Sequence, residues 1–270
     1  MKIILSRKGF DGEYGGQPSP ILPDGTLLSM PIPYHDEAIK YTDLFHNNES
    51  YFKILKDLKP NNNKINENSY CHLDPDLRFQ IIDRNPNWKP IFGQVETAQS
   101  HLINQGVSVG DIFLFFGWFR QTQFVNGKYY YKYGSPNLHL IYGYLEIGEI
   151  FKHGNPFPEY ANHHPHTRAR LLNLPSNCIY VAKDKLSFNE NFQGGGTLKY
   201  KPNLVLTKNG FSRSRWELPE FFKELNISYH SSTSFKENYF QSAAKGQEFV
   251  ISADDNLIEW TKDLIIANSL

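Results

Sequence analysis

Hydrophobic residues along the chain fall into a few short continuous runs separated by stretches rich in glycine, proline and asparagine. Ile3, Ile4 and Leu5 make the first run and predict a buried strand. The pattern then stops. Residues 6–33 carry Gly9, Gly12, Gly15, Gly16, Pro18, Pro20 and Pro23 before apolar character returns at Leu27 and Leu28. This predicts a long loop with a type I′ hairpin turn at Asp24-Gly25. A loop of that length directly after a buried strand is uncommon without a task. Residues 35–68 show an uneven helical stripe through Ile39, Leu44, Phe52, Leu55 and Leu58, ended by Lys59-Pro60 and an Asn-rich loop. Residues 91–106 predict an amphipathic helix closed by Gly106.

The strongest apolar run, at residues 112–119, follows the turn Gly110-Asp111. Strands at 129–133 and 138–147, with Asn126-Gly127 as a hairpin turn, complete an antiparallel meander of barrel-like character. Residues 152–170, rich in His and Pro, read as a solvated loop. A strand follows at 177–182, a flexible glycine segment at 194–196, a short strand at 204–207 and a short helix at 220–225. The chain ends in a strand at 249–251 and a helix at 255–267. No repeat or linker divides it. The expectation is a single α+β domain over residues 1–270, its sheet mostly antiparallel and partly barrel-like, with flanking helices.

Charge changes this picture little. Lys plus Arg and Asp plus Glu number 28 each, so the net charge is 0 and an anionic partner must meet a local basic patch. Aromatic residues reach 15%, which suits both strands and base-stacking surfaces. Two cysteines, Cys71 and Cys178, form neither a disulfide framework nor a zinc site. With no signal-peptide core and no apolar run long enough to span a bilayer, the expectation is a cytoplasmic protein. No Gly-rich phosphate loop of the ATPase type is present, and no cofactor is expected.

Several residues carry chemistry by type. Arg7 and Lys8 open the glycine-rich loop, where cations and free N–H groups can hold an anion and Asp11 can act as acid or base. In His72-Leu-Asp74-Pro-Asp76, paired carboxylates can split their pKa values and serve a reaction at an anomeric carbon, or simply cap a turn. The same His-x-Asp spacing also begins an iron site of the 2-oxoglutarate oxygenase type, with His163, His164, His166 and Arg168 as nominal partners. The His163–His166 cluster by itself has no recognised ligand spacing, and no metal is expected there. Arg213, Arg215 and Trp216, and again Trp118 with Arg120, set cations beside aromatics, as in the grip on flipped or single-stranded nucleotides. Lys245 and Glu248 precede a buried strand. Ser231 to Ser234 with Glu248 faintly resembles the Ser-Thr-Ser and Glu signals of ADP-ribosyltransferases.

The run from Ser6 to Asp11, with Gly15-Gly16, the Pro-Ser-Pro-Ile at 18–21, Pro23-Asp24-Gly25 and Pro31-Ile-Pro33, resembles the third of the nucleotide modification associated domain families of bacteria and phages. The stretches at 72–77, 110–120, 140–147, 212–222 and 241–250 fit the same pattern, nearly the whole chain. The resemblance implies association with genes for modified DNA bases, often in phage defence. With the residues above, it points to an enzyme acting on DNA with modified bases, and within that class to a glycosylase that excises a base such as a hypermodified cytosine. Asp74, Asp76, Asp11 and Glu248 are its candidate catalytic groups. Arg7, Lys8, Trp118, Arg120, Arg213, Arg215, Trp216 and Lys245 are its candidate DNA contacts. The alternatives are a non-catalytic reader built on the half-barrel of residues 107–147, and ADP-ribosyltransferase-like chemistry at an N-glycosidic bond.

Overall fold

Strands from both ends of the chain and from its middle are gathered into one mixed sheet in the computed structural model, which describes residues 1–35, 37–243 and 248–269. The first strand, β1 (Lys2–Arg7), contains the predicted apolar run. A two-residue ribbon then pairs β2 (Ile32–Pro33) with β3 (Cys71–His72), apart from the main sheet. Next come β4 (Ile91–Gln94), β5 (Ile112–Val125), β6 (Lys128–Tyr131), β7 (Leu138–Lys152) and β8 (Cys178–Ala182). The last is β9 (Glu248–Ser252). The sheet runs β9-β1-β5-β7-β8-β4. Its pairs are antiparallel except β1 with β5, and the separate parallel pairing of Ser19–Ile21 with β5. Central position explains the unbroken apolar run of β1, whose Ile3, Ile4 and Leu5 are buried.

The sheet is strongly curved. Phe92 on β4 packs against Phe113 and Phe115 on β5, at ring distances of 4.8 and 5.2 Å, although two strands separate them in the sheet. The curve does not close by backbone pairing between the end strands β9 and β4. The ends meet instead through side chains, where Gln94 Nε2 donates to Glu248 Oε1 at 2.8 Å. The helices are α1 (Tyr51–Leu58), α2 (Glu96–Asn104), a single turn at Ala169–Leu172, and α3 (Asp255–Asn268). Ser50 caps α1 and Asp254 caps α3, each accepting from a backbone N–H of the first turn. The architecture is α+β, and none of these helices is long and apolar enough to cross a membrane.

Several elements differ from the sequence reading, each for a local reason. The helix expected within 35–68 shrinks to α1, while Ile39, Tyr41 and Leu44 reach the same buried cluster from turns. The stretch 91–106 divides, because Ile91 to Gln94 pair with β8 before α2 begins. The turn near Asp24 is not type I′. Gly25 N–H bonds to Leu22 O across Pro23-Asp24, and of this turn only Gly25 has positive φ. The hairpin at Asn126-Gly127 does have positive φ at both residues. The glycines at 194–196 are held rather than loose: Gly195–Thr197 pairs with β7. A Cβ on Gly194 would lie 2.1 Å from Lys183 O. At 202–204 the chain makes a 3₁₀ turn in place of the start of a strand. The His- and Pro-rich loop is not fully solvated, since His164 and His166 are buried.

Candidate functional site

A cavity of about 560 Å³ opens where the C-terminal end of β1, the loop after it, β3, β4 and β5 converge. That volume suits a ligand the size of a nucleotide. The parallel register of β1 and β5 delivers Arg7, Lys8 and Trp118 to one wall. Asp11 follows on the glycine-rich loop, which is not free-standing: Phe10, Leu28 and Met30 anchor it in a cluster with α1. Asp11 Oδ1 accepts from the N–H groups of Glu13 and Tyr14, fixing the turn that presents its carboxylate. Arg213 lies over the half-buried Trp118 ring at 4.2 Å, and Arg170 over Tyr34 at 4.7 Å. Each pair joins a flat aromatic face to a cation. Trp118 Nε1 donates to Asn137 Oδ1 at 2.8 Å, which sets the plane of the indole.

The floor of the cavity is made of His72, Asp74 and His166. Asp74 Oδ1 accepts from Gly93 N at 2.8 Å and from His164 Nε2 at 3.2 Å. Its Oδ2 faces His72 Nε2 and His166 Nε2, each 4.0 Å away. Behind this floor, His72 Nδ1 lies 2.7 Å from Glu37 Oε1, and His166 Nδ1 lies 2.7 Å from Asn177 Oδ1. Position 93 must be glycine for this arrangement, because a Cβ there would lie 2.2 Å from the His166 ring. Burial pushes the Asp74 carboxyl up, but the His164 hydrogen bond and the neighbouring imidazoles outweigh it and hold the group well below the usual carboxylate range. Burial pushes the His166 imidazole down to about 3, so the ring is neutral at physiological pH. His139 also lines the cavity, and burial, with Arg213 and Arg7 nearby, lowers it to about 3.

The cavity therefore gathers Arg7, Lys8, Asp11, Asp74, Trp118 and Arg213 from widely separated stretches. The other candidates sit elsewhere. Asp76 is turned into the protein and held by Arg84, whose Nη1 and Nη2 donate to its two oxygens at 2.7 and 2.6 Å. Glu248 is buried behind the cavity wall, where Oε1 accepts from Lys8 Nζ at 2.9 Å and from Gln94. Trp216 is fully buried against Phe116, Phe240 and Phe249, so it offers no face to a base. Its Nε1 donates to Arg213 O and His139 Nδ1. Arg215 is exposed beside Tyr239, and Arg120 lies over Tyr131. Arg168 does not line the cavity, whereas Arg170 does. Ser232–Ser234 forms a 3₁₀ turn away from the cavity. Lys245 lies outside the described residues. Tyr34, Gln94, His139 and Arg170 line the site without being singled out by the sequence, and Glu37 and Asn177 support it from behind. Isolated single residues, at strand ends as with Gln94 and His139 or in short segments as with Tyr34 and Arg170, carry no spacing signal that would have found them.

Fold and cavity together define an α+β protein with a deep site in which cations and aromatics surround a buried carboxylate. The chain belongs to the nucleotide modification associated domain 3 family, whose profile matches residues 2–252. That family ties the protein to nucleotide modification. Comparison with curated proteins and with solved structures gives no match.

Proposed function

We propose that the protein is an enzyme acting on DNA that carries modified bases, and that it hydrolyses the N-glycosidic bond of a modified nucleotide drawn into this cavity. The observation that carries the reading is Asp74, a buried carboxylate kept ionised at the bottom of a pocket walled by Arg7, Arg213 and the Trp118 face. Arginines suit the phosphates, and the indole suits the extruded base. A glycosidic bond inside a duplex is out of reach, so the nucleotide must leave the stack, at a cost of a few kcal/mol. In the hydrolysis, the oxygen of water bonds to C1′ and the C1′–N bond breaks, its electron pair going to the base. The base takes up the proton that water gives away. Negative charge at Asp74 favours the oxocarbenium-like state between these events. Asp11, on the glycine-rich loop that lines the same cavity, would pass a proton to the departing base.

Purified protein incubated with phage DNA containing hypermodified cytosines tests this. The expected result is free modified base in solution and alkali-labile sites in the DNA. Tight binding without release of base from any modified DNA would make the protein a reader instead.

A further inference from the structure

Three electron pairs meet at the floor of the cavity. His72 Nδ1 faces a carboxylate oxygen of Glu37 at 2.7 Å, so that nitrogen carries the proton and Nε2 is left as an acceptor. His166 Nδ1 faces Asn177 Oδ1, and the Asn177 amide cannot be reversed, because its Nδ2 donates to His166 O at 2.8 Å. His166 Nε2 is therefore an acceptor as well. Asp74 Oδ1 is engaged by Gly93 and His164, which leaves Oδ2 turned toward the two imidazoles. His164 fits the same scheme, since its Nδ1 accepts from His166 N at 3.3 Å and its Nε2 holds the proton given to Asp74.

The three acceptors lie within 4.8 Å of one another, and their side chains are only 18%, 5% and 3% exposed for His72, Asp74 and His166. At 4.0 Å, neither imidazole hydrogen-bonds to Asp74 Oδ2. Like partial charges converge there, each oriented by a partner behind it, as second-sphere groups orient ligands around a metal. We infer that His72 Nε2, Asp74 Oδ2 and His166 Nε2 bind a divalent first-row transition ion. Two imidazoles and one carboxylate suit Fe²⁺, Zn²⁺ or Co²⁺ over Ca²⁺ and Mg²⁺, which favour all-oxygen shells. Ligands about 2.1 Å from a tetrahedral ion stand roughly 3.4 Å apart, so the 4.0 Å separations close with a shift of about half an ångström per imidazole. Three protein ligands leave the remaining positions open to the cavity, which is the arrangement of a catalytic site. Were the ion Zn²⁺, a water on it would be acidified to a pKa of about 7 and would supply the hydroxide of the hydrolysis, Asp74 then serving as a ligand in place of the free charge facing C1′. That role rests on the hydrolytic reading above; the binding of the ion does not.

The test strips the protein with a chelator, adds Fe²⁺, Zn²⁺ or Co²⁺ alone under anaerobic conditions, and measures the metal retained after desalting. One ion per chain is expected, with visible absorption of the Co²⁺ form. His72→Ala and His166→Ala should each abolish stoichiometric retention, while His163→Ala, on the exposed neighbour of the cluster, should retain it. Because the ligand variants remove buried side chains, Glu37→Gln is the check on folding: it should weaken metal affinity about 10- to 100-fold with the melting temperature preserved. A folded wild type that retains none of the three ions, or a His72→Ala variant that retains them fully, overturns the site. Stoichiometric metal without base release keeps the site and removes the hydrolytic reading. Base release in chelator, with no ion bound, keeps the hydrolytic reading and removes the ion from its mechanism, the site itself then standing or falling by the retention measured.

Discussion

Asp74 and Asp76 flank a single proline and meet opposite surroundings. The region around Asp76 is a closed structural joint. Its carboxylate is gripped by Arg84 at 2.7 and 2.6 Å, and its backbone pairs in both directions with Ile91. The region around Asp74 is open on one side. One oxygen is tied to Gly93 and His164, and the other faces two imidazoles and the cavity. Both carboxylates are buried, so burial does not separate them. The nature of the partner does. A fixed guanidinium consumes the charge of Asp76 in holding the chain together, whereas Asp74 keeps one oxygen turned toward two imidazoles that do not hydrogen-bond to it. A pair of carboxylates close in sequence is thus no proof of a shared reaction.

The sharpest way to break this contrast is to neutralise each member. Asp74→Asn should lower base release by about two to four orders of magnitude while the melting curve stays close to wild type. Unchanged turnover would remove Asp74 from the chemistry. Asp76→Asn should act the other way. It leaves Arg84 buried without its counter-charge, and urea unfolding should report a loss of about 3–5 kcal/mol, with turnover per folded molecule preserved. A smaller expected effect concerns the aromatic wall: Trp118→Ala should weaken binding of single-stranded DNA by about 1–3 kcal/mol, read by fluorescence titration. Smaller again is the effect of Arg215→Ala, outside the cavity, for which no change beyond about 0.5 kcal/mol is expected.

His139 offers a pH test of the cavity wall. Its folded value of about 3 lies below the ordinary 6.5, so below pH 6.5 the unfolded chain takes up a proton that the folded one refuses. Stability from this residue is present at pH 7 and declines as the pH falls toward 3. Between pH 7 and 5 the decline should be about 1–2 kcal/mol. His139→Phe should reduce the slope of that part of the urea-measured profile, His166 supplying a similar share of what remains, and an unaltered profile would show that the His139 imidazole is not shielded.

Much of the scaffold could be read from the chain, because β1, β5 and the Asn126-Gly127 hairpin each carry a local signal: a continuous apolar run, or a dipeptide able to take positive φ. β4 escaped because Gly93 and Gln94 dilute its apolar character, and because its strand form depends on β8, far along the chain. Trp216 looked like a stacking residue beside two arginines, yet Phe116, Phe240 and Phe249 enclose it from distant stretches. The floor of the cavity was hardest. His164 and His166 read as solvated because histidine and proline are polar-loop residues, and what buries them is a set of bonds to Asp74 and Asn177 that no local pattern encodes. Glu37 carries no mark at all in the sequence.

The meeting of Gln94 with Glu248 has a mechanical consequence. In a closed barrel the last seam is a ladder of backbone bonds, and it opens only when several of them break together. Here the two end strands of the curved sheet are joined at this point by one carboxylate, which also holds Lys8 at the cavity wall. A single change of side-chain torsion releases that rivet without disturbing any strand pairing. The circumference of the sheet is thus fastened at the cavity itself, by the same carboxylate that steadies Lys8 on the cavity wall.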